Sequence, residues 1–194
     1  MKIIAITGSI GSGKTFLAKI IKNMGYTVYD ADKWVKYLYY KKEFLQVIHQ
    51  NFPQVFSEDG KFNKRKLRNL VFNNKQELKR LESLVHPFLK RKLLSVIRRQ
   101  ANRETLIFLD VALLFEMNWD KYCQNIILAN VDKNIQKQRV MKRDNISAED
   151  FEKILSAQMD NEEKKKYVDF VVNTGNSRGK IKSQLIKILD ELNK

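Results

Sequence analysis

Short apolar runs alternate along this chain with stretches whose apolar residues recur every three or four positions. Residues 2–7 (KIIAIT) are the first such run, and they predict a strand buried on both faces. Residues 16–24 switch to a helical period. Phe16, Leu17, Ile20, Ile21 and Met24 share one stripe, and Gly25 follows as a stop signal. Residues 26–29 predict a second strand. From residue 33 to residue 102 the pattern is helical throughout, in segments 33–39, 42–51, 64–72, 75–85 and 87–100. Asp59-Gly60 marks a turn, and Pro87 suits the first turn of the last of these helices. Residues 106–111 predict a third strand that 112–116 continue. Residues 125–131 predict a fourth. Residues 135–167 are helical and highly charged, and 170–172 form a fifth strand closed by Asn173-Thr174-Gly175. In the last helix, 180–192, the residues Ile181, Leu185, Ile188, Leu189 and Leu192 make a stripe that should pack on the sheet.

Strands alternating with helices predict an α/β fold with a five-stranded, doubly wound parallel sheet and right-handed crossovers. The helical excursion after strand two runs for about seventy residues, too long for a plain crossover. A cap that binds a second substrate is the expected use, and an inert insertion is the alternative. Composition narrows the class. No apolar run approaches the ~20 residues needed to span a bilayer, and Met1 leads directly into the first strand, so no signal peptide is expected. Cys123 is the single cysteine, which rules out intrachain disulfides and makes a reducing cytoplasm the natural compartment. With only two histidines beside it, a structural zinc site is not expected. The net charge is +15, from 37 basic and 22 acidic residues. The basic residues are dispersed, as in Lys64-Arg65-Lys66 and Lys164-Lys165-Lys166, with no basic tail and no nucleic-acid module. The charge therefore reads as bias plus polyanionic small substrates, without nucleic-acid or membrane partners, and a monomer is favoured.

The chemistry is concentrated in Gly8-Ser9-Ile10-Gly11-Ser12-Gly13-Lys14-Thr15, which fits the phosphate-binding P-loop G-x-x-x-x-G-K-[ST] between a strand and a helix. Gly8, Gly11, Ser12 and Gly13 lend backbone N–H groups to a triphosphate. Lys14 should reach the β- and γ-phosphates, and the Thr15 hydroxyl should bind Mg²⁺. Phe16 opens the helix behind the loop and joins the nucleotide-binding set. Asp30-Ala31-Asp32 closes strand two, at the ligand edge of an open sheet. There Asp32 can act as base and orienter toward a hydroxyl, or cap the following helix. Asp110 ends strand three in the manner of a Walker B residue that holds Mg²⁺, and a capping role is again the alternative. Arg139 and Arg143 are four apart on one helix face after strand four. Arginines on a mobile helix there can close over a triphosphate and exclude water.

Taken together, these residues resemble the dephospho-CoA kinase family over essentially the whole chain. The marks are GSIGSGKT, Asp30-Ala31-Asp32, Gly60-x-x-Asn63 leading to Leu67-Arg68, His86-Pro87, Leu113-Leu114-Phe115-Glu116 and Arg139-x-x-x-Arg143-Asp144. Ala157-Gln158, Glu162-Glu163-Lys164 and Asp169-Phe170-Val171-Val172-Asn173-x-Gly175 complete the set. The resemblance implies a P-loop kinase fold that transfers the γ-phosphoryl of ATP, with Mg²⁺, to the ribose 3′-hydroxyl of dephospho-CoA. It implies a nucleotide-binding core (1–32, 103–134 and 168–194), a helical CoA-substrate-binding domain (33–102) and a lid (135–167). By the same resemblance Asp32 is the base and Arg139 is a lid arginine on the phosphates, with Arg143 beside it. Asp30, Asn63, Arg68, His86 and Glu116 fall on the acceptor side, and Asn173 and Gly175 fall near the adenine of ATP. Ala112 stands where the family commonly has proline, which leaves the turn before Glu116 less preset. Two other readings remain open: a nucleoside-monophosphate-type kinase, and a P-loop binding protein or switch without metabolic turnover.

Overall fold

The apolar run Lys2–Thr7 forms β1, and the glycine loop delivers the chain into α1 (Lys14–Asn23), so Lys14 and Thr15 lie in the first helical turn. The computed structural model describes residues 1–72 and 74–193. After β2 (Thr27–Asp30) come α2 (Ala31–Leu38), α3 (Lys42–Asn51), α4 (Lys64–Phe72) and α5 (Lys75–Gln100). Then β3 (Leu106–Asp110), β4 (Asn125–Asn130), α6 (Lys133–Asp144), α7 (Ala148–Ser156), α8 (Asn161–Lys164), β5 (Phe170–Asn173) and α9 (Arg178–Leu192) complete the chain. The five strands make one parallel sheet in the order β2-β3-β1-β4-β5. Its central strands are buried on both faces, as continuous apolar runs require.

The chain divides into two compact units. The first comprises residues 1–30 and 100–194, and the second residues 31–99. In the first, α1 and α9 cover one face of the sheet. Leu17, Ile20 and Ile21 from α1 and Ile181, Leu185 and Leu189 from α9 meet Ile4, Ile6, Phe108, Ile127 and Val172 from the strands. The stripe predicted for α9 is the stripe that packs. The stripe predicted for α1 needs correcting at one end. Phe16 is 37 % exposed, and Ala18 takes a place in the core instead. In the second unit, Phe44, Ile48, Phe52, Leu67, Val71, Leu81, Val85, Leu89 and Leu93 are buried. Tyr39, Phe44, Phe62 and Phe88 interlock around them, with Tyr39 stacked on Phe62 and edge-on to Phe44.

Three expected boundaries move. Residues 75–85 and 87–100 form a single helix with Pro87 inside it. Pro87 has no N–H to give the Ser83 carbonyl, yet Val85, Leu89, Leu93 and Val96 continue one buried stripe through it, and that burial outweighs the lost bond. Residues 112–117 turn and do not extend β3. The β1 ladder reaches only to a bond from Val111 N–H to the Ile6 carbonyl, and β1 then leaves the sheet as the glycine loop. The charged segment 135–167 breaks into α6, α7 and α8 because polar caps interrupt it. Asp132, Ser147 and Asp160 each accept backbone N–H bonds at the start of their helices.

Candidate active site

The carboxyl ends of three neighbouring strands lay out the site. Strand register pairs Ile6 of β1 with Asp110 of β3, and Asp110 with Asp30 of β2. Asp110 and Asp30 therefore stand side by side next to the root of the glycine loop, on the sheet edge where ligands bind in open α/β folds. Asp110 is only 6 % exposed, and Asp30 is half-buried. The helix α2 begins at Ala31 with no intervening loop, and Asp32 is an exposed residue of its first turn.

The loop has backbone geometry that side chains rarely adopt. Gly8 has φ +143°, and a Cβ there would come within 2.5 Å of the Ala129 carbonyl oxygen, which is backbone and cannot give way. Gly13 has φ +94° and would place a Cβ 2.7 Å from Thr174 Oγ1. It is also the residue that caps α1, and no side chain satisfies the helix start. The first-turn N–H groups of α1 thus lack a side-chain cap and stand at the positive end of the helix dipole, an arrangement suited to an anion.

A cavity of about 450 Å³ adjoins the loop and gathers Gly11, Gly13, Lys14, Thr15, Phe16, Arg139 and Arg143. Exposed Phe16 thus contributes to the wall of this cavity. Arg139 donates from Nη1 to Thr174 Oγ1 at 3.1 Å and from Nη2 to the Thr174 carbonyl at 2.9 Å. Arg143 holds Asp144 in a two-pronged pair at 2.8 and 2.7 Å, which raises the pKa of its guanidinium. Asn173 and Gly175 sit at the end of β5, where Asn173 Oδ1 accepts the Gly175 N–H at 2.9 Å. Asn173 lines a neighbouring cavity of about 300 Å³ together with Asn130 and Asp132.

The residues expected on the acceptor side come from both units. Asn63 caps α4, with Oδ1 accepting from Lys66 N–H at 3.0 Å. Arg68 lines a cavity of about 640 Å³ in the helical unit with Tyr39, Lys64 and Arg65. His86 lies half-buried in the middle of α5. Glu116 belongs to the first unit. Its Oε1 accepts Met159 N–H at 2.8 Å and lies 3.6 Å from Lys164 Nζ. A second cavity of the helical unit, about 870 Å³, has a basic and aromatic lining that includes Lys33, Trp34, Tyr37, Lys41, Arg91 and Lys92.

Several residues at the site had no role in the sequence reading. Thr174 donates to the Ser12 carbonyl at 2.6 Å and so links β5, the loop and Arg139. Its signal was available, since it is a polar residue at the carboxyl end of a sheet strand. Lys164 is fully buried, and its ammonium donates to the Ala112 carbonyl at 3.3 Å. Burial lowers its pKa, Glu116 opposes that shift, and Lys14 adds repulsion in the same direction as burial. Apart from its place in the mark Glu162-Glu163-Lys164, which carried no role, nothing local distinguishes Lys164 from exposed Lys165 and Lys166 beside it. The same contacts answer for Ala112. Thr7 Oγ1 and Lys164 Nζ both donate to its carbonyl, so side-chain contacts hold a turn that lacks the proline.

The family model for dephospho-CoA kinase (CoaE) matches residues 2–179. A dephospho-CoA kinase of Bartonella quintana (strain Toulouse) is 36% identical over 195 residues, covering 99% of this chain and 98% of that protein. Among solved structures, TT1252 from Thermus thermophilus superposes with a TM-score of 0.86 at 32% identity, over 98% of this chain and 97% of that one. The dephospho-CoA kinase from Campylobacter jejuni gives a TM-score of 0.73 at 28% identity, over 99% and 98%.

Proposed function

Because this chain belongs to the dephospho-CoA kinase family, and so catalyses ATP-dependent phosphorylation of dephospho-CoA in CoA biosynthesis, we propose the following division of labour among its residues. Gly8, Gly11, Ser12, Gly13, Lys14 and Thr15 bind the triphosphate, with Phe16, Asn173 and Gly175 toward the nucleoside. Arg139 and Arg143 turn from their present partners to the phosphates as the lid, residues 135–167, closes. Asp32 accepts the proton of the acceptor's ribose 3′-hydroxyl. That oxygen bonds to the γ-phosphorus while the bond to the β–γ bridging oxygen breaks, and ADP departs with the electron pair. Lys14 balances the charge that develops on the transferring group. Asn63, Arg68 and His86 from the helical domain 33–102, and Asp30 and Glu116 from the first unit, serve the acceptor.

One observation carries this reading. The glycine loop, Asp110 and Asp30 lie on adjacent strand ends, and the chain passes from Asp30 to Asp32 without a loop. Thr15 and Asp110 offer the hard oxygen donors that suit Mg²⁺, a metal that keeps its remaining positions for phosphate and water. When bound, the ion neutralises charge on the phosphates. No described helix is long and apolar enough to cross a membrane. We place the activity in the cytoplasm, where the lone thiol of Cys123 stays reduced.

The test is Asp32→Asn. It should lower kcat by roughly 10²-fold or more and leave ATP affinity nearly unchanged, since it removes the base and leaves the phosphate cradle intact. Near-normal kcat would reduce Asp32 to a helix-start residue.

A further inference from the structure

The first limb of the glycine loop, residues 8–10, is held by side chains from outside it. Ser9 N–H donates to Asn161 Oδ1 at 3.0 Å, and Ile10 N–H donates to Gln158 Oε1 at 2.8 Å. Gln136 Nε2 donates to Ser9 Oγ at 2.8 Å and also to the Ile10 carbonyl. The Ser9 carbonyl accepts Ser12 N–H at 3.1 Å. Every backbone polar group of Ser9 and Ile10 is therefore engaged, and both N–H groups are taken up by side-chain acceptors. Asn161 is in turn fixed by bonds from its amide nitrogen to the Ala129 carbonyl and to Asn130 Oδ1, at the end of β4. Ser9, Gln136 and Asn161 are all buried.

We propose that Gln136, Gln158 and Asn161 are positioning residues for phosphoryl transfer: they clamp residues 8–10, whose Ser9 carbonyl in turn holds Ser12 N–H, so that the N–H groups of residues 11 and 13–15 present the phosphate-binding curve. Three side chains cross distances of more than a hundred residues in sequence to reach two consecutive loop residues. A buried loop of this kind cannot leave N–H groups without acceptors, and an acceptor from a neighbouring element selects one loop conformation among many. Gln136 also ties the loop to the arginines. It precedes Arg139 by three and Arg143 by seven on α6, hence on one face of the helix. The bond to Ser9 therefore sets where those guanidinium groups stand relative to the phosphates.

The proposal rests on the kinase reading only for the identity of the ligand as ATP, so its test measures ATP binding without acceptor. Gln158→Leu removes the acceptor from Ile10 N–H at similar volume, and Gln158→Glu keeps an acceptor oxygen. The leucine variant should bind ATP about three- to tenfold more weakly, the scale of one hydrogen bond. Its KM for dephospho-CoA should stay within about twofold of wild type, and its Tm should match that of the glutamate variant. The glutamate variant should recover most of the ATP affinity. Gln136→Met, which removes both donors from the other side, should weaken ATP to a comparable degree. Wild-type ATP affinity in Gln158→Leu or in Gln136→Met would overturn the proposal, as would equal losses in the leucine and glutamate variants. Absence of dephospho-CoA turnover in the wild type would instead overturn the acceptor assignment and leave the ATP titrations readable.

Discussion

At Gly13 the chain adopts φ +94° with Thr174 packed against the missing Cβ. Gly13→Ala should therefore cost about 1–3 kcal/mol in stability and abolish measurable ATP binding. Denaturant unfolding and nucleotide titration check the two effects, and an alanine variant with wild-type values of both would remove the loop from the account. Lys14→Ala should weaken ATP binding and kcat together, because the charge it removes acts in both the bound and the transferring states. Cys123 gives a pH-dependent expectation. Burial, helped by Asp120, pushes its thiol up to about 12. The unfolded chain releases this proton first, so the thiol's contribution to stability falls as pH rises above the ordinary thiol range. At pH 9 the native thiol should react with iodoacetamide on the order of 10²–10³-fold more slowly than in the unfolded chain. Equal rates, followed by mass spectrometry, would contradict its burial. At this scale the sequence was legible where chemistry and spacing are local. Gly11, Gly13, Lys14 and Thr15 of the P-loop line one cavity together with Arg139. Asn161, Gln136 and Lys164 were not legible as site residues, because their partners lie far away in sequence and their own neighbourhoods look like solvated helix.

The elements were legible wherever one face of a helix or both faces of a strand bury apolar residues. Those of α9, α3 and α4 follow the period of their side chains. The misses have a common cause: a local signal was overridden by packing or by a tertiary hydrogen bond. Pro87 reads as a helix start, yet α5 runs through it because its buried stripe is continuous. Pro87→Ala should accordingly restore an N–H to the Ser83 carbonyl and raise stability by about 1–3 kcal/mol, measured by chemical denaturation. A loss of stability would mean that α5 depends on the ring. The turn after β3 is held by Lys164, and the pair it makes with Glu116 is largely buried, with side-chain exposures of 0% and 24%. Lys164→Met should cost about 2 kcal/mol or more, because it strands the Glu116 carboxylate. Adding Glu116→Gln should recover a good part of that loss. Independent, additive losses would show that the two side chains are not coupled.

For the whole molecule, the order β2-β3-β1-β4-β5 explains how residues from both ends of the chain serve one site. The loop comes from β1, Asp110 from β3 and Thr174 from β5, all at the carboxyl edge of a single sheet. The alternation of strands and helices made that parallel sheet legible. The strand order was not, because it depends on which crossovers pack where. The net charge of +15 has a use that needs no nucleic acid. Both substrates are polyanions, and Lys14, Arg139 and Arg143 face one cavity while Lys33, Lys41, Arg91 and Lys92 face another. A triphosphate donor is paired here with one acceptor, and the decisive measurement of that pairing is ADP release from ATP and Mg²⁺, with dephospho-CoA, AMP or single-stranded RNA added separately. Release should require dephospho-CoA and match, mole for mole, the appearance of a 3′-phosphate on it. ADP release that is indifferent to dephospho-CoA, or stimulated by AMP or RNA instead, would contradict the account.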